Sequence, residues 1–113
     1  MPLFATGTVM YVDHRLVALF TLIETNTRVR FIGEFTGPEP APTPDFVCPN
    51  ATLVYESQDE IFKTTEFTCA LGVHDAKFKM AGSLGGVTFD GRLEWPLSPA
   101  VSRKGMGRWT MSS

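Results

Sequence analysis

Hydrophobic and polar positions alternate with a period of two along much of this chain, the pattern of strands buried on one side. Val29, Phe31 and Phe35 fall on one face, and Arg28, Arg30 and Glu34 on the other. Phe78 and Met80 oppose Lys77 and Lys79 in the same way, while Val87, Phe89, Leu93 and Trp95 oppose Thr88, Asp90, Arg92 and Glu94. One segment breaks the rule. Leu16 to Ile23 (LVALFTLI) is apolar on both sides: Leu16, Ala18, Phe20 and Leu22 face one way, Val17, Leu19 and Ile23 the other, with Thr21 the only polar interruption. A strand buried on both faces is ordinary where helices cover a sheet. No credible helix is available here, so the second face needs another sheet or another copy of the chain.

Gly, Pro, Asn and Asp punctuate these runs. They predict about eight strands, at Phe4–Val12, Leu16–Glu24, Arg28–Phe35, Ala51–Glu56, Ile61–Cys69, Ala76–Ala81, Val87–Trp95 and Gly105–Met111, with no significant helix. Asp13-His14-Arg15 and Thr25-Asn26-Thr27 are short enough to be hairpin turns, which makes the first three strands an antiparallel meander; Gly85-Gly86 closes another hairpin. The expected fold is all-β, a single domain over residues 1–113 built as a small antiparallel β-barrel, with a two-layer β-sandwich as the alternative. The barrel is favoured because closure removes free edges, and the chain has few devices that protect an edge.

Residues 37–45 (GPEPAPTPD) interrupt the tight connections. Prolines at 38, 40, 42 and 44 stiffen the segment toward polyproline II. Their spacing gives no P-x-x-P docking signature, so a rigid surface loop that tolerates shortening is expected. Cys48 and Cys69 would oppose each other if a two-residue turn at Gln58-Asp59 joined the flanking strands. Gln-Asp is a poor turn of that type, and Pro49 cannot donate to a ladder.

Composition narrows the class. Hydrophobic side chains at 43% and charged ones at 19% suit a folded core. A net charge of −2 gives no electrostatic footprint for nucleic acid, and Arg103, Lys104 and Arg108 form only a mild local excess. No stretch approaches the ~20 apolar residues of a membrane span. The N-terminal MPLFATGTV lacks the basic and apolar regions of a signal peptide. The expectation is a cytoplasmic protein with free thiols that binds neither nucleic acid nor membrane. In that setting Asn50-Ala51-Thr52 is a chance sequon.

Candidate chemistry is sparse. Asp13-His14 and His74-Asp75 could offer two imidazoles and two carboxylates to a metal if their turns met, yet neighbouring strand residues point apart and no His-x-His is present. His14 and His74 are therefore weak ligand candidates, and no metal or other cofactor is expected. No G-x-S-x-G elbow occurs, and GSLGG at 82–86 lacks the lysine and following helix of a phosphate cradle. Asp90, Arg92 and Glu94 resemble a catalytic trio but read as a wet ladder pairing across a hairpin with Lys77 and Lys79. Glu66 shares a predicted face with Phe62, Thr64 and Thr68, and Glu24 ends the face of Phe20 and Leu22; either carboxylate, if buried, could serve as a general acid or base.

Aromatic side chains are plentiful. Phe20, Phe31, Phe62, Phe89, Trp95 and Trp109 are the candidates to line an apolar pocket, although the same rings fill cores. Three functions follow. The first is a small binding protein, oligomeric through Leu16–Ile23, for an apolar small molecule or a protein partner. The second is a small β-barrel isomerase or cyclase acting on a hydrophobic substrate, and the third a structural assembly subunit. A filled interior would favour interaction or structure; an aromatic cavity with a buried carboxylate would favour the enzyme.

Overall fold

Alternation, once the strands pair, places one apolar set from each strand on the inner side of a single closed sheet. The computed structural model describes residues 3–36, 43–81, 86–97 and 101–112. Eight strands, β1 (Leu3–Val12), β2 (Arg15–Leu22), β3 (Thr27–Thr36), β4 (Phe46–Tyr55), β5 (Glu66–Leu71), β6 (Asp75–Met80), β7 (Val87–Arg92) and β8 (Val101–Ser112), form an antiparallel barrel. Around the barrel the order is β1-β2-β3-β8-β5-β6-β7-β4, and β4 bonds back to β1. The barrel expectation holds, as do the opening meander and the β6–β7 pairing. Of the turn expected at Gly85-Gly86, Gly85 lies outside the described residues, as do prolines 38, 40 and 42.

The turns have the chemistry their geometry needs. Asp13 and His14 both adopt positive φ (54° and 63°), the conformation of a tight primed hairpin turn, which Asp and His tolerate better than bulky residues do. Between β2 and β3 the chain needs four residues and ends the turn on Asn26 at φ 51°. In β4, Pro49 and Asn50 together face Thr8 alone, because Gly7 pairs with Ala51 and Val9 with Cys48. This bulge lets a proline sit inside a ladder without leaving a bond unmade. The strand therefore begins at Phe46, five residues before the expected Ala51.

Three other boundaries differ from expectation. The segment expected as a strand from Ile61 opens instead as a one-turn helix, α1 (Gln58–Phe62), and β5 starts only at Glu66. Asp59 and Glu60 sit in the first turn of α1, where carboxylates suit the helix dipole, and Ile61 is fully buried. Thr64 Oγ1 donates to the Ile61 carbonyl at 2.7 Å and closes the turn. Burial of one apolar side chain against the barrel end outweighs the local β-propensity of this stretch. Strand β7 ends at Arg92 rather than Trp95, and β8 starts four residues early.

The two ends of the barrel are closed differently. At one end lie α1, the β2–β3 turn, the end of β6 and the start of β7. At the other lie the β1–β2 and β5–β6 turns and the segment after β7. That segment folds across the mouth: Leu93 N–H donates to the His74 carbonyl, Glu94 N–H to Val47, and Leu97 N–H to Val73. Leu93 and Leu97 are buried there. Thr43, at the end of the proline-rich segment, is buried as well and accepts a hydrogen bond from Arg103 Nε at 3.2 Å. The loop expected to be wholly a surface feature is thus anchored at this point.

Candidate functional site

The interior is built by the inward residues of all eight strands, and it is filled. Phe78 stacks on Phe89 with ring centroids 4.6 Å apart, and Phe89 in turn meets Phe20, Phe31 and Trp109. Phe67 joins Phe31, Phe35 and Phe78, and Phe35 leads through Tyr11 to Phe46. These contacts make one connected column of rings. Glycines make room for it: a Cβ on Gly105 would lie 2.3 Å from Phe67 Cζ and 2.4 Å from the Glu34 carbonyl oxygen. Trp109 is buried, and its Nε1 has no hydrogen-bond partner among the described residues, so the indole is placed by packing alone.

Of the six expected pocket residues, Phe20, Phe31, Phe89 and Trp109 come together in this column, occupied with one another. Phe62 packs on the core from α1 and is partly buried. Trp95 does not share the inward face of Val87 and Phe89. It lies beyond the end of β7 and is 42% exposed.

The carboxylate candidates are wet. Glu24 is exposed in the β2–β3 turn, past the end of β2, and Glu66 is exposed on the outer face beside Thr68, away from buried Thr64 and from Phe62. All described aspartates and glutamates are exposed except Glu60, which is half-buried on α1. The two His–Asp turns do occupy one end of the barrel but line separate clefts, His14 with Glu34 and Arg108, His74 with Asp75 and Arg92. Among the described residues no three His, Cys, Asp or Glu side chains form a metal-binding group.

Both cysteines are buried free thiols. They are not brought together by a hairpin, since β4 pairs with β1 and β7 while β5 pairs with β6 and β8. Burial, reinforced by the charges of Asp75 and Asp90, pushes the Cys48 thiol up to about 11. Burial raises Cys69 further, with the neighbouring Cys48 adding to the effect and Arg103, its cross-strand partner, opposing it. Thiols held neutral in this way are poor nucleophiles.

The outside of the barrel has two unlike halves. On β4, β1, β2 and β3, the register aligns Val47, Met10, Val17 and Ile32 in one row, all half-buried and none charged. Leu19 (42% exposed), Phe4 (57%), Val12 and Val54 extend the apolar surface, and Thr52, Thr6 and Thr21 form a neutral row beside it. The second apolar face of Leu16–Ile23 is therefore open to solvent and continued by its neighbours. Sequence alternation pointed to β2 only; the wider patch depends on which strands become neighbours. The other half, on β8, β5, β6 and β7, carries lysine and threonine.

Among the described residues no helix is long and apolar enough to cross a membrane. The chain matches no protein-family model, no curated protein and no solved structure.

Proposed function

We propose that the protein is a small interaction module that self-associates through the outer face of β4, β1, β2 and β3. The observation that carries this reading is the uncharged row Val47–Met10–Val17–Ile32, which runs unbroken across four strands. Faces rich in Val, Ile, Leu and Thr pack on similar faces about 10 Å away. A two-fold contact needs only one such patch, because the same surface serves both copies. Four strands about 4.8 Å apart and roughly 20 Å long offer an area at the low end of specific interfaces, which fits a dimer with a dissociation constant on the order of micromolar. The filled aromatic column supports interaction over an internal carrier, and Glu24 and Glu66, the carboxylates the isomerase reading would use, are both exposed.

Sedimentation velocity and light scattering over a concentration series test this. The wild type is expected to shift from monomer to dimer through the micromolar range. Val17→Glu, at the centre of the row, is expected to remain monomeric with an unchanged melting curve, and Leu19→Lys to weaken association at least tenfold. A wild type that stays a monodisperse monomer throughout would end the proposal.

A further inference from the structure

On the half of the barrel opposite the apolar row, a groove of about 620 Å³ runs over the outer face of β8, β5, β6 and β7. Its side chains are set by register. One row reads Thr36–Lys104–Thr68–Lys79–Thr88 across β3, β8, β5, β6 and β7, and the next reads Ser102–Ala70–Lys77–Asp90 across β8, β5, β6 and β7. The alternate residues of these strands, including Phe78, Phe89 and Cys69, point into the core, so the groove is floored by backbone and the buried column. Ala70 and Ser102, small and flanked by lysines, make the depression.

We propose that this groove binds a sugar carrying a phosphate or sulfate group. Lys79 and Lys104 lie on either side of Thr68, two strands apart and thus about 10 Å between backbones. Lysine side chains are long enough to converge from that spacing on a tetrahedral anion seated over the Thr68 hydroxyl, and each ammonium brings up to three donors. Among the described residues, Lys77, Lys79 and Lys104 have no carboxylate within ion-pair distance, although Asp90 is the register partner of Lys77. The expected ladder register forms, Lys77 facing Asp90, but without close ion pairs among the described residues, so three lysines and one aspartate share the groove.

Asp90 argues for the rest of the ligand. An acceptor-only carboxylate beside a bare anion would repel it, whereas Asp90, beside Lys77 and three strands from Ser102, can take a hydrogen bond from a hydroxyl group. An anionic head at Thr68 and hydroxyls at Asp90 describe a sugar ester. The groove falls within the size range of small-ligand sites. A nucleic-acid duplex would need a longer basic stripe, and the chain's net charge of −2 opposes it.

Amide chemical-shift titrations of the full chain at low salt test the proposal, with inorganic phosphate, glucose 6-phosphate and a sulfated disaccharide as probes. At least one sugar ester is expected to saturate, moving Thr68, Ala70 and Lys79 and binding at least tenfold more tightly than inorganic phosphate; comparing the two esters separates phosphate from sulfate. Lys79→Ala/Lys104→Ala should weaken the sugar ester at least tenfold, Lys79→Arg/Lys104→Arg should largely retain it, and Lys63→Ala, on α1, should change nothing. Asp90→Ala should weaken the sugar ester and not inorganic phosphate. Absence of saturation with every probe, or equal binding by Lys79→Ala/Lys104→Ala with an unchanged melting curve, overturns the site. Tighter binding of both probes by Asp90→Ala overturns the sugar.

Discussion

Phe89 is the residue on which the filled interior can be tested most directly. It is fully buried and meets four rings: Phe78 at 4.6 Å, Phe20 at 5.5 Å, Trp109 at 6.0 Å and Phe31 at 6.3 Å. Truncating a buried phenylalanine to alanine costs about 3–5 kcal/mol, part for lost burial and part for the cavity left behind. Good aromatic pairs add about 0.5–1.5 kcal/mol beyond their area, and the stacked Phe78 pair places Phe89→Ala near the top of that range. For 113 residues the entropy of unfolding is about 0.24 kcal/mol per kelvin, so the melting temperature should fall by roughly 13–21 °C.

Urea denaturation followed by circular dichroism measures the loss, provided the slope with denaturant is unchanged. The vacated space is expected to stay dry and accept benzene, and a ligand at a hundred times its dissociation constant restores about 2.7 kcal/mol. Benzene should therefore raise the stability of Phe89→Ala and leave the wild type unmoved. A loss under about 1 kcal/mol, or equal stabilisation of the wild type, would mean that the column has slack, and an internal ligand would return as the better reading of Phe20, Phe31, Phe89 and Trp109.

Gly105→Ala is expected to cost at least about 2 kcal/mol in the same assay, because the new methyl group meets the Glu34 carbonyl as well as the Phe67 ring, and backbone cannot move aside cheaply. Neither Cys48 nor Cys69 should react with a thiol reagent in the native protein at pH 8, and both should react once urea unfolds it. The Cys48 thiol ionises near 9 when unfolded and at about 11 when folded, so the native state holds the proton that the unfolded chain has released; its contribution to stability is complete below about pH 9 and is lost as pH rises through 11. Cys48→Ala should flatten that alkaline decline in the urea midpoint. Replacing Asp13-His14 by Asn-Gly relieves two positive-φ residues and should stabilise the barrel by about 0.5–1 kcal/mol, read as a rise of a few degrees in melting temperature.

What could be read from the chain follows the range of the interactions involved. The β1–β2–β3 meander was legible because each partner is the next strand and each turn is short. The inward sets, Leu16–Ala18–Phe20–Leu22 or Val29–Phe31, were legible because alternation alone fixes them. The α1 turn was not: Gln58 to Phe62 has no helical period to display in five residues, and Ile61 is buried only because the barrel end is open to receive it. Pro49 argued against a strand at Phe46–Asn50 by the ordinary rule, and the bulge that accommodates it exists only once β1 lies alongside.

The exterior shows the same limit from the other side. Alternation reports that Val17 and Leu19 point away from Leu16 and Ala18, but not what stands beside them. Val47 lies thirty residues further along the chain than Val17, and it joins the row only because β4 closes the barrel onto β1. Closure has a second consequence for assembly. Every strand has a hydrogen-bonding neighbour on both sides, so another copy cannot add by extending the sheet. Side-chain faces are what remain, and the outer faces of β4 and β1, with Val17, Leu19 and Thr21 of β2 and Ile32 of β3, make a broad uncharged one. The two-sided apolar pattern of Leu16–Ile23 is thus resolved by closure on one side alone: Leu16, Ala18, Phe20 and Leu22 line the core, while Val17, Leu19 and Ile23 keep the exposure that a second copy would remove.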